Sequence, residues 1–97
     1  MSITRRLNRS AEIRAAEAAL RGQPQRLVHF LSVNTDALTG AIAGACSIGN
    51  VSAAASRANE ELEPRGYRIV SRLPKPLSHN QFGEASQQHQ WSIERVR

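Results

Sequence analysis

Few of the chain's side chains are suited to covalent or metal chemistry. It holds one cysteine, Cys46, and three histidines, His29, His79 and His89. None of these falls at the short Cys or His spacings that close a zinc site. Cys46, with Ala45 before it and Ile48 just after, reads as a small core residue. His29 lies inside the apolar run "LVHFL" and reads as a partly buried structural residue. The eight acidic residues form no paired-carboxylate arrangement that would serve as acid and base. There is no phosphate-cradling GxxxxGK[ST] loop and no dinucleotide fingerprint. An enzyme is therefore not expected, and neither is a cofactor or a bound metal.

The chemistry the sequence does offer is that of arginine. Twelve of the thirteen cations are Arg, and the net charge is +5. A planar guanidinium fork suits phosphate oxygens and the edges of guanine. The charge is unevenly spread: residues 1–35 carry six Arg against two Glu, and residues 64–97 carry six cations against two Glu. Between them, residues 36–63 hold Asp36, Glu60, Glu61 and Glu63 against Arg57 alone. Two basic flanks around an acidic middle point to an acidic partner, with nucleic acid foremost.

These residues have to be positioned by a small fold. Ninety-seven residues make one thin-cored domain, and the low aromatic share (4%) means a core of Leu, Ile, Val and Ala. A lone cysteine allows no intrachain disulfide and favours a reducing cytoplasm. "MSITRRLNRSAEI" lacks a signal-peptide apolar run, and the low-charge stretch 37–56 is too rich in Gly, Ser and Asn for a membrane span. The sequon "NVS" at 50–52 is then a chance match.

Residues 1–9 read as a basic arm. "AEIRAAEAALRG" is a helix capped by Ser10, ended by Gly22 and Pro24, with a narrow apolar line of Ile13, Ala16 and Leu20. That line either packs lightly or pairs with another chain, which makes this helix a candidate homodimer seam. A second helix starts at Pro24 and buries Leu27, Val28, Phe30 and Leu31. A third is capped by Asn34, Thr35 or Asp36, with Leu38, Ala41, Ile42 and Ala45 at helical spacing. "SIGN" turns into a helix over 51–63, capped by Asn50 and stopped by Pro64 and Gly66. Strands follow at 67–73 and 89–96, joined by a long loop over 74–88. They form an antiparallel hairpin. Residues 1–23 form an arm and leading helix, and 24–97 a domain.

Within helix 51–63, Val51, Ala55, Ala58 and Leu62 make one buried stripe. The opposite side carries Ala53, Ser56, Arg57 and Glu60, with Ser52 and Asn59 at its flanks. Helix, short turn, small-sided helix is a helix-turn-helix pattern, whose second helix can enter a major groove. The element order, and the ending Leu62, Gly66, Tyr67, Ile69 that runs the helix into a strand, resembles the winged helix-turn-helix family over residues 25–96. The resemblance implies an α+β fold: a three-helix core and an antiparallel β-hairpin wing, here with an extra N-terminal helix.

The resemblance further implies double-stranded DNA binding. On the helix it points to Asn50, Ser52, Ala53, Ser56 and Arg57. Around the wing it points to Arg72, Lys75, His79, Asn80 and Gln81. The expected role is a small transcriptional regulator of a bacterium, phage or mobile element, with helix 51–63 in the major groove. Two rivals stay open. One is a winged helix used for protein contact, such as a phage-encoded inhibitor of anti-CRISPR type or an assembly factor. The other is a DNA-bending recombination-directionality factor. Arg57 itself has two readings: a contact to base or phosphate, or an exposed ion pair with Glu60 or Glu61.

Overall fold

Ser10 accepts a hydrogen bond from the Ile13 amide and so caps the first helix. The computed structural model describes residues 10–73, 82–83 and 88–96. In chain order these form α1 (Ala11–Ala19), α2 (Gly22–Val33), β1 (Ala37–Leu38), α3 (Thr39–Cys46), α4 (Val51–Leu62), β2 (Tyr67–Arg72) and β3 (Gln90–Arg95). The fold is α+β, with four α-helices and one three-stranded antiparallel sheet among the described residues, ordered β1-β3-β2. This arrangement is compatible with a winged helix.

The core follows from the apolar periodicity. Ile13, Ala16 and Leu20 of the leading helix and its exit are all buried, with at most 1% exposure. They pack with Leu27, Val28 and Leu31 of α2 and with Leu62 of α4 in a single cluster. So the narrow apolar line of α1 belongs to the molecule's own core. On α4 the buried set is Val51, Ala54, Ala55, Ala58 and Leu62, one residue wider than the stripe read from spacing. Four of the five are small or β-branched, so α4 lies close to its neighbours and gains modest burial from each.

The joints between elements differ from the sequence reading in several places. Helix α1 ends at Ala19, and Gly22 opens α2 instead of closing α1. Its positive φ of 66° makes that corner cheap for glycine. Strand β1 is not visible in the sequence at all. Ala37 and Leu38 pair with Trp91 and Gln90, so α3 starts only at Thr39. Its N-cap is Leu38, with no side-chain cap, and not Asn34, Thr35 or Asp36. The left-handed backbone of Asp36 (φ 58°) turns the chain into β1. Because the helix starts later, Leu38 lies outside it, Ala41 and Ala45 are exposed, and Ile42 and Cys46 face the core. His29 is exposed, not partly buried; Leu27, Val28 and Leu31 turn inward and leave residue 29 on the outer side.

Two devices fix the ends of α4. At its start, the α3–α4 turn is held from α2: Arg26 Nε donates to the Cys46 carbonyl at 2.7 Å and a terminal nitrogen to that of Ser47 at 3.3 Å. These are carbonyls that the end of a helix leaves without intrahelical partners. At its far end a 3-10 turn, Glu63–Arg65, leads to Gly66 at φ 89°. The left-handed position there reverses the chain into β2, which runs back alongside α4. Strand β2 pairs with β3 from Tyr67↔Arg95 to Arg72↔Gln90.

Candidate nucleic-acid interface

Helix α4 presents its polar side to solvent. Ser52, Ala53, Ser56, Arg57 and Glu60 are all exposed. Asn50 is the N-cap, its side-chain oxygen accepting from the Ala53 amide at 3.0 Å. Asn50, Ser52, Ala53, Ser56 and Arg57 therefore share one end and one side of this helix. Small side chains at 52, 53 and 56 leave the backbone open to close approach by a large partner.

The N-terminal end of α4 also forms one wall of a cleft. Thr39 at the start of α3, Gly49 to Ser52, and Gln88, His89 and Trp91 before and within β3 line an open, shallow cleft of about 560 Å³. The walls are tied together. Trp91 Nε1 donates to Thr39 Oγ1 at 2.8 Å, and the Thr39 amide donates to the His89 carbonyl at 3.1 Å. The Gly40 amide donates to the Gln88 side-chain oxygen at 2.5 Å. A Cβ on residue 40 would lie 2.7 Å from that oxygen, so the flexible end of the Gln88 side chain would have to shift to admit one. Thr39, Gln88, His89 and Trp91 are not among the candidate DNA-binding residues read from the sequence. They come together only through the β1–β3 pairing, and no local pattern announces it.

Besides the shared apolar core, one side chain hydrogen-bonds α4 to the sheet. Asn59 Oδ1 accepts from the Ile69 amide at 2.8 Å, and its Nδ2 donates to the Ile69 carbonyl at 3.3 Å. Both bonds go to the edge of β2 turned away from β3. The carboxamide thus stands where another strand would, and pins the helix to the hairpin. An Asn inside a helix is a poor helix former, and that was the available signal.

Electrostatics around α4 and the sheet are strongly compensated. Arg57 pairs with Glu60 at 2.6 Å, the local ion pair foreseen as one of its two readings. Arg65 pairs with Glu61 at 3.0 Å, Arg68 with Glu63 at 3.5 Å and Arg72 with Glu94 at 2.9 Å. The hydrogen bond from Arg72 holds the Glu94 carboxyl below its ordinary range, and Glu94 in turn raises Arg72. Of the wing residues proposed from sequence, Arg72 sits at the end of β2, opposite Gln90 and so near the cleft. Lys75, His79, Asn80 and Gln81 lie outside the described residues.

Other candidate chemistry is sparse. Cys46 is a buried free thiol, and burial pushes its pKa up, away from the reactive thiolate. His29 Nδ1 lies 3.2 Å from Glu17 Oε2 on the surface. Among the described residues no group of three His, Cys, Asp or Glu could hold a metal ion, and no helix is long and apolar enough to cross a membrane. No family model, no curated protein and no solved structure matches the chain.

Proposed function

We propose that this chain is a winged helix-turn-helix protein that binds duplex DNA by sequence and regulates transcription in the cytoplasm, with α4 as the reading helix. The observation that carries the reading is the exposed, small-sided face of α4, Ser52, Ala53, Ser56 and Arg57, whose first residue, Ser52, also lines the cleft beside β3. Such a face lets a helix approach the floor of a major groove, where a guanidinium reaches guanine O6 and N7. The hairpin then lies beside the phosphates.

The Arg57–Glu60 pair does not oppose this. Its side chains are 54% and 65% exposed, and exposed pairs of this kind contribute about 0–1 kcal/mol. Exchanging Glu60 for a phosphate or a base is therefore inexpensive for Arg57. The net charge of +5 supplies attraction at longer range.

The test is a binding titration against a selected and a random duplex over a range of salt. Specific affinity that falls steeply with salt is expected. Equal affinity for both duplexes, at every salt concentration, removes sequence-specific reading. Within that assay, Arg57→Ala is expected to weaken the preferred site by about 1–3 kcal/mol.

One observation favours a second reading, a protein-contact module such as an inhibitor or an assembly factor. Four arginines of α4, the 3-10 turn and β2 already hold glutamates, which leaves a mixed-charge surface of the kind proteins present to each other. Under that reading Arg57→Ala leaves function intact and no duplex is preferred.

A further inference from the structure

Arg26 holds the turn before α4 with only part of its guanidinium. Nε and Nη2 donate to the carbonyls of Cys46 and Ser47, while Nη1 has no acceptor among the described residues. Unlike Arg57, Arg65, Arg68 and Arg72, Arg26 also holds no carboxylate among the described residues. The same side chain lines an open pocket of about 320 Å³, built from α1, α2 and α3. That volume is near the lower end of what small ligands occupy. Phe30, Ala45 and Cys46 supply the apolar part of the lining, and burial keeps the Cys46 thiol uncharged. Glu17 and His29, 3.2 Å apart, supply a polar part, with Gln25 donating to the Glu17 carbonyl at 3.0 Å. None of these residues belongs to α4 or to the cleft beside β3.

We propose that this pocket is an effector site: it takes a small carboxylate with an apolar body, which accepts from Arg26 and stiffens the α3–α4 turn. An unpaired guanidinium beside apolar side chains is matched by one carboxylate on a hydrocarbon frame. A doubly charged phosphate is disfavoured, because it would meet the Glu17 carboxylate and leave the apolar lining uncovered.

The link to the turn follows from the shared side chain. Arginine loses rotamer freedom when its head is fixed. A carboxylate on the open nitrogen meets that cost once, and the two bonds to the turn then hold at no further cost. Two contacts that need the same ordering reinforce each other. The consequence for DNA rests on the duplex-binding reading above: a firmer turn holds α4 in place, so the effector strengthens duplex binding.

The experiment uses the full chain, isotope-labelled, with benzoate as the probe and benzamide as its uncharged control. Ionic strength is held constant with sodium chloride. Benzoate is expected to shift the Arg26 Nε–H signal saturably in the millimolar range, and benzamide to leave it in place. The Ile48 amide donates to the Ala43 carbonyl at 3.2 Å within this turn, and its hydrogen exchange slows severalfold with benzoate bound. Ala45 is exposed, so Ala45→Leu fills the pocket without entering the core. That variant is expected to lose both responses and to keep its fold and its duplex affinity without benzoate. On a duplex selected by the full chain, saturating benzoate raises affinity about fivefold or more. No saturable shift at Arg26, an equal response to benzamide, or a full response in Ala45→Leu overturns the pocket. A shift at Arg26 with Ile48 exchange unchanged overturns the link to the turn. Both responses without any selectable duplex overturn the duplex-binding reading and leave the effector site standing. A duplex whose affinity ignores bound benzoate overturns the regulation alone.

Discussion

Replacing Asn59 with alanine isolates the hydrogen-bonded contact between α4 and the sheet from the apolar packing they share. The substitution removes two hydrogen bonds, at 2.8 Å and 3.3 Å, from the backbone of Ile69. Alanine is the better helix former by a few tenths of a kcal/mol, which offsets part of the loss. Each intramolecular hydrogen bond contributes about 0.5–1.5 kcal/mol net, and a buried amide or carbonyl left unpaired costs about 1–3 kcal/mol. Ile69 is only 4% exposed, but Asn59 is half-buried, so water can replace part of what is lost. A net loss of about 2 kcal/mol follows. At this chain length that lowers Tm by roughly 8–16 °C. Urea unfolding gives the free energy, and an unchanged slope shows that the denatured state is not the cause. Hydrogen exchange adds local evidence: the Ile69 amide loses protection beyond the global change. A loss under about 0.5 kcal/mol with the Ile69 amide still protected would refute the claim that this carboxamide closes the strand edge.

Three further outcomes are expected. Ile13→Ala leaves a cavity where α1 meets α2 and α4, and costs about 2–4 kcal/mol by urea unfolding; a cost that appears only at dimerising concentrations would show that α1 packs on another chain instead. Glu60→Gln frees Arg57 and removes a like charge from the proposed DNA face, so duplex affinity rises and its salt dependence steepens; unchanged binding would place Arg57 away from the DNA. Glu94 is held below its ordinary range by Arg72, so its stabilising effect is present above the unfolded-state pKa and lost as pH falls through the lower folded value. Unfolding curves of Glu94→Gln and the unmodified chain should therefore differ slightly near neutrality and converge in acid or at high salt, because both side chains are about half exposed.

The parts of the fold that repeat at 3.6 residues were legible. The Val51–Leu62 stripe, its Asn50 cap and the Pro64–Gly66 stop gave α4 to within a residue or two, and with it the exposed set from Ser52 to Arg57. The alternation around Ile69 and Ile93 gave the antiparallel pair. What escaped notice depends on contacts between distant residues. A two-residue strand has no period to detect, and Ala37–Leu38 is a strand only because Trp91 and Gln90 lie opposite. The cleft was hidden for the same reason, since Thr39 and His89 meet across fifty positions. His29 was misjudged because its neighbours in sequence are apolar, whereas in a helix exposure is set by residues three and four away. Arg57 and Glu60 show the opposite case, in which a purely local rule anticipated an ion pair.

The short strand β1 also has a consequence in time. Its partner residues are 90 and 91, so during synthesis residues 37 and 38 emerge long before anything can pair with them. At about 5–20 residues per second, the wait is roughly 3–10 s. Helices α2, α3 and α4 can collapse around Leu27, Leu31 and Leu62 within that interval, because their contacts are closer in sequence. The cleft cannot form, because Gln88, His89 and Trp91 have yet to arrive. On the nascent chain the polar face of α4 is therefore exposed before the strands that lie beside it have paired, and among the described elements β3 is the latch that closes last.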